Sequence, residues 1–135
     1  MTPRNFFDTN LLVHMISADS VKAERAESLV RGGGHVSVQV LNEFAHVAMR
    51  KLRLPLDAIE AVMKATVGTC EVHGLTLRDT VNALSLCGRH GFPFYDAVIV
   101  ASALRARCTT LWSEDFQHGM QLHDRLTVRN PFRPE

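Results

Sequence analysis

The sequence predicts an α/β fold in which helices cover both faces of a parallel sheet. Three observations carry that prediction. Strand-like and helix-like segments alternate along the chain. The stretch YDAVIVASALRA from Tyr95 to Ala106 is apolar on every side until Arg105, as a helix buried in the body of a domain must be. Isolated acids fall where strands end and helices begin, the edge at which sites form in such sheets.

The elements follow in order. Asn5 to Asp8, after Pro3 and rich in aromatics, reads as a short buried strand, and Thr9 to Ile16 continues with helical apolar spacing. Asp19 to Val30 forms a second helix that the glycines at 32 to 34 stop. His35 to Val38 is a second strand. Ser37 then caps a helix whose apolar residues Val40, Phe44, Val47 and Ala48 recur at helical spacing until Pro55 approaches. A fourth helix spans Leu56 to Val67, closed by Gly68, and Cys70 to Val72 is a third strand. Leu77 to His90 is a helix ending at Gly91, and the buried helix opens near Pro93. Thr109 to Trp112 and Leu126 to Val128 supply two more strands.

A chain of 135 residues can build one real core, so a single domain over 1–135 is expected, with no internal repeat or linker. The chain is 46% hydrophobic with no apolar run near the ~20 residues of a membrane span, which gives a soluble globular composition. The start, MTPRNFFD, lacks the parts of a secretory signal, so a cytoplasmic location is expected. Cys70, Cys87 and Cys108 are widely spaced and form no C-x-x-C pair, which points to reduced, mostly buried thiols rather than disulfides or zinc. A net charge of +1 lacks the strongly basic character of many nucleic-acid binders, but leaves room for a local basic rim.

Four acids stand out. Asp8 lies between two phenylalanines and an aliphatic run, at a strand-to-helix junction where it can cap the helix or hold a ligand. Glu43 borders the apolar stripe of the third helix. Asp96 shares a side of the most apolar helix with Ile99, Val100 and Ala103, which implies deep burial. Asp115 follows the strand-like TTLWS, where it or Ser113 can cap a turn. Singly each has a structural explanation, but a parallel sheet brings all four to one edge. Two carboxylates ~4 Å apart repel by about 4 kcal/mol at an effective dielectric of 20, so such a cluster must protonate or bind cations. Oxygen ligands without a His or Cys pattern select Mg²⁺ or Mn²⁺, and that site suits phosphodiester hydrolysis.

The motifs FFDTNLLVH, VSVQVLNEF, PFYDAVIVASAL and CTTLWSEDFQHG, in that order, resemble those of PIN-domain proteins, with the nearest likeness to bacterial VapC-type toxins. The resemblance covers essentially the whole chain and places the family's acids on Asp8, Glu43, Asp96 and Asp115. It implies a three-layer α/β/α sandwich with a mostly parallel sheet and an endoribonuclease using Mg²⁺ or Mn²⁺. It also implies a homodimer and a VapB-like antitoxin whose tail fills the active site. Thr9, Asn10 and Ser113 match polar positions that assist the acids by hydrogen bonding, with backbone capping as their other role.

A phosphoaspartate enzyme of the haloacid dehalogenase type needs D-x-D, and Asn10 takes the place of the second acid. A receiver domain needs paired acids at the first strand. The histidines are scattered, with His118 and His123 the one close pair in sequence, and read as surface or core residues. Arg50, Lys51 and Arg53, and also Arg105 and Arg107, can contact RNA phosphate or compensate helix dipoles. Phe92, Phe94 and Tyr95 can stack on bases, with core packing expected for at least two of them. The alternative function is a PIN-like module that binds nucleic acid or a protein without cutting. Keeping four mutually repelling acids argues against it.

Overall fold

The computed structural model describes residues 2–133. The chain runs β1 (Asn5–Phe7), α1 (Thr9–Met15), α2 (Ser20–Arg31), β2 (Gly34–Ser37), α3 (Val38–Arg50), α4 (Leu56–Thr69), β3 (Cys70–His73), α5 (Leu77–His90), α6 (Phe94–Arg105), β4 (Thr110–Trp112), β5 (Gln121–Leu122) and β6 (Leu126–Arg129). The strands form one sheet in the order β3-β2-β1-β4-β6-β5, parallel throughout except for the β5–β6 pair.

The chain first winds outward from β1 to β2 to β3, then crosses back to β4 on the other side of β1. Right-handed crossovers put the helices of the two legs on opposite faces of the sheet. The helices accordingly pack in two sets, α1 to α4 among themselves and α5 against α6. This is the three-layer sandwich expected, and it makes the carboxyl end of β1 and β4 a topological switch point, the place where such sheets open a crevice.

Local chemistry explains most boundaries. Asp19 caps α2 by accepting from Val21 and Lys22 N–H, and Ser37 caps α3 by accepting from Val40 N–H. A capping box of Thr76 and Asp79 starts α5, and Gly91 ends it at φ 71°. The core is lined by Phe6, Phe7, Leu11, Val36, Phe44, Leu111 and Val128, all fully buried, and α6 is buried from Ala97 to Ala103. Gly34 is required by close approach, because a Cβ there would stand 2.6 Å from the Asn5 carbonyl oxygen and 2.7 Å from the Phe7 ring.

Three expectations need correction. Gly68 does not close α4, which continues to Thr69; the left-handed turn that a glycine supplies comes at Gly33, φ 93°, just before β2. The two-residue β5 was not anticipated, being too short for any alternation to show. Phe94 and Tyr95 are exposed rather than packed in the core, and only Phe92 packs inward, edge-on to Phe116. Cys70 and Cys108 are buried as expected, with Cys87 partly so. Among the described residues no helix is long and apolar enough to cross a membrane.

Candidate active site

The register Phe7↔Trp112 makes β1 and β4 end together, so the next residues, Asp8 and Ser113, emerge side by side at the switch point. Asp8 is 3% exposed. It caps α1 by accepting from Thr9 N–H at 2.7 Å through Oδ1, while Oδ2 accepts from Ser113 Oγ at 2.7 Å. The cap and the site are therefore the same residue, one oxygen for each.

Ser113 is completely buried and its hydroxyl is fully used. It donates to Asp8 and accepts from Asn10 Nδ2 at 3.2 Å and Asp115 N–H at 3.0 Å. Asn10 also donates to Asp115 Oδ2 at 3.2 Å and accepts from Glu114 N–H at 3.4 Å. Asn10 thus clamps the loop that follows β4 and fixes the exposed Asp115 beside Asp8.

Glu43 approaches from α3. Thr9 Oγ1 donates to its Oε2 at 2.9 Å, and Gln39, one turn earlier, donates to its Oε1 at 2.6 Å. Gln39 Nε2 also reaches the Tyr95 carbonyl at 3.2 Å, tying α3 to the start of α6 where Asp96 sits. Both neighbours of that nitrogen are acceptors, so the amide can point only one way, and its buried Oε1 is left without a partner. Sequence reading passed over Gln39, because a glutamine inside an amphipathic helix carries no signal until the helix across from it is known.

Asp96 lies in the first turn of α6 and is half-buried, not deep in the core as its neighbours in sequence suggested. The helix buries its next seven residues and leaves this end at the crevice. No cation faces the four acids: among the described residues the ion pairs are His14–Glu114, Arg31–Glu27, His35–Glu71 and Arg105–Asp79. The electrostatic result is visible in two of them. Burial drives Asp8 up to about 7 against the lowering effect of Ser113 and Thr9, with Asp115 and Asp96 adding to the rise. Burial also raises Asp96, reinforced by Asp115 and Glu43.

All four predicted acids, with Thr9, Asn10 and Ser113, therefore lie near one another at the carboxyl edge of the sheet, linked by hydrogen bonds and mutual repulsion. The basic runs stay outside it: Arg105 binds Asp79 on another edge, and Arg50, Lys51 and Arg53 are exposed at and after the end of α3. One buried and two half-buried carboxylates beside an exposed one, without a cationic partner among the described residues, call for a cation, and an all-oxygen set suits a hard one. Among the described residues no group of three or more His, Cys, Asp or Glu side chains is arranged to hold a metal ion. The donor set is all carboxylate oxygen, the chemistry of a hard ion such as Mg²⁺, which is bound through few carboxylates and keeps several waters.

The PIN domain family matches residues 6–119 of the chain. No curated protein matches it. Solved structures share its fold. A toxin-antitoxin complex from Klebsiella pneumoniae aligns with a TM-score of 0.70 at 17% identity, over 96% of this chain and 99% of that one. VapC20 of Mycobacterium tuberculosis, a sarcin-ricin loop cleaving toxin, aligns at 0.65 and 19% identity, over 79% and 86%. FitAB bound to a DNA fragment aligns at 0.67 and 18%, over 97% of each chain.

Proposed function

The chain belongs to the PIN domain family, and on that premise we propose that it is an endoribonuclease dependent on Mg²⁺ or Mn²⁺, the toxin of a toxin-antitoxin pair. The observation that carries the reading is the closeness of Asp8, Glu43, Asp96 and Asp115 at the carboxyl edge of the sheet, with no basic side chain among the described residues paired to any of them.

Asp8, Asp96, Asp115 and Glu43 would hold the ion, one or two of them directly and the others through its waters. A divalent ion bound there supplies charge neutralisation for phosphate and a water acidic enough to attack phosphorus. The chain's own part is placement. Ser113 and Thr9 N–H hold the Asp8 carboxylate in one orientation, Gln39 and Thr9 Oγ1 hold Glu43, and Asn10 holds the Asp115 loop. Carboxylates fixed in this way need no reordering when the substrate arrives. Phe94 and Tyr95, exposed immediately before Asp96 and packed edge-to-face on each other, offer aromatic surface to unpaired bases.

An antitoxin partner belongs to the same proposal, supported by the fold shared with a toxin-antitoxin complex and with FitAB, and an RNA substrate is supported by the fold shared with VapC20. So do one domain over the whole chain and action in the cytoplasm. A homodimer is supported by the apolar face of α5, where Leu77, Val81 and Leu84 are 79%, 57% and 60% exposed at helical spacing.

The test is cleavage of RNA by purified protein with and without Mg²⁺ or Mn²⁺, beside an Asp96→Asn variant. Metal-dependent cleavage lost in the variant is expected. Cleavage without metal, or an undiminished variant, would overturn the mechanism; intact RNA under all conditions would favour a binding module.

A further inference from the structure

At the end of α6 opposite to Asp96, a cleft of about 310 Å³ opens between α5, α6 and the β5–β6 turn. One wall carries Arg78 and Asn82 from successive turns of α5, and the other carries His123 and Arg125 from the turn. Arg105 stands at the end of α6 between them. Arg105 lies nine residue steps beyond Asp96, roughly 14 Å along the helix, so the cleft is separate from the acid site.

The cleft is cationic beyond what the fold consumes. Asp79 is bound by Arg105 through two hydrogen bonds, 2.8 and 3.1 Å, which settles one positive charge. Arg125 spends one N–H on the Leu104 carbonyl at 2.8 Å, and a guanidinium has five donors. Arg78 forms no ion pair among the described residues and is exposed. Two guanidinium charges therefore remain for a ligand.

The turn that brings His123 and Arg125 to the cleft is held in an unfavourable backbone conformation. His123 and Asp124 both have φ 53°, a region that residues other than glycine occupy at a cost. Guanidinium groups on opposite walls of a cleft with a partly apolar floor of Leu86, Ala101 and Leu104 match the oxygens of a phosphate.

We propose that this cleft binds a backbone phosphate of the RNA substrate at a distance from the scissile bond, positioning the strand rather than reading its bases. The inference rests on the nuclease reading above. It adds a second contact point on the far side of α6, supplied by Arg78 and Arg125 with Asn82 and His123.

The full chain carrying Asp96→Asn, in metal-free buffer, isolates binding from cleavage. Inorganic phosphate is titrated while amide shifts are followed by NMR, and a single-stranded RNA of mixed sequence is titrated by fluorescence anisotropy over a range of salt. Phosphate should shift amides around Arg78, His123 and Arg125. Adding Arg78→Gln and Arg125→Gln should abolish those shifts, weaken RNA binding about tenfold and lower the salt slope by about 1.4, two charges at about 0.7 each for single strands. Arg78→Gln alone, which removes no hydrogen bond of the fold, should account for about half of the slope change.

Unchanged RNA affinity and salt slope in the double variant would overturn the proposal, and phosphate shifts that persist under that outcome would mark a site for free phosphate or a nucleotide instead. Failure of the wild type to cut RNA with metal would remove the nuclease reading while leaving these binding results to be judged on their own.

Discussion

Ser113 Oγ donates a 2.7 Å hydrogen bond to Asp8 Oδ2, joining residues 105 positions apart in the chain at the shared end of β1 and β4. That contact is the chief lowering influence on a carboxylate that burial otherwise drives up to about 7. Ser113→Ala removes the donor, leaves the Asp115 N–H without its acceptor and leaves Asn10 Nδ2 with Asp115 Oδ2 alone. The expected loss is about 1–3 kcal/mol of stability in denaturant titration, the cost of a buried polar group left unpaired. Cleavage should fall as well, whereas Ser113→Thr, which keeps the hydroxyl, should recover most of it.

Asp8 gives the metal-free protein a definite pH dependence. Its carboxyl holds a proton in the folded state up to about 7 and loses it near 3.8 when unfolded. Between those values the unfolded chain binds fewer protons, so stability falls as pH rises from about 4 to 7 and is level above. The span corresponds to about 4 kcal/mol. Melting in EDTA should therefore show Asp8→Asn more stable than wild type at pH 8 and nearly equal to it at pH 4. Divalent metal should raise wild-type melting and leave Asp8→Asn little changed. A wild type more stable than Asp8→Asn at pH 8 in EDTA would contradict this.

Gln39 acts on Glu43 and on the Tyr95 carbonyl together. Gln39→Leu keeps the helix and most of the volume but frees Glu43 and the start of α6. Activity should fall about tenfold, the scale on which a supporting hydrogen bond to a metal site acts, with little change in fold by circular dichroism. Gln39→Glu sets a second carboxylate against Glu43 and should be worse. An active Gln39→Glu would show that the clamp has no part in the chemistry.

The Asp79–Arg105 pair behaves oppositely to Asp8. Burial raises Asp79, but the two Arg105 bonds and the Thr76 N–H outweigh it and hold the carboxyl below its usual range. Its contribution is present above about pH 4 and lost as pH falls through the lowered value. Asp79→Asn should cost about 2–3 kcal/mol at pH 7, less than in a dry site because a third of the Arg105 side chain remains in water. The difference from wild type should shrink in melts toward pH 3.

Much of this was legible because it is local. The Leu77–His90 helix has its capping box at one end and a left-handed glycine at the other, and both signals lie within the segment they bound. Gly68 misled because a glycine near a helix end can be either a stop or an interior residue, and the choice depends on whether the backbone turns left-handed there. It does so at Gly33 instead. The aromatic run before Asp96 misled similarly, since apolar composition does not say which side of a helix start faces water, and Phe94 and Tyr95 face it. The His35–His73 contact, 2.8 Å across β2 and β3, had no sequence signal because the two residues are 38 apart.

The sequence by itself determined that four acids lie at strand ends and early helix turns of an α/β fold, because caps, periodicity and turn residues act over a few neighbours. Tertiary structure alone decided what those acids experience. The Phe7↔Trp112 register sets Ser113 against Asp8, the packing of α3 near α6 lets Gln39 span Glu43 and Tyr95, and the reversal of chain direction after β3 puts Asp96 across the crevice from both. Desolvation and charge repulsion depend on distance in space, and four residues as far apart in the chain as Asp8, Glu43, Asp96 and Asp115 acquire such distances only when the sheet closes around its switch point.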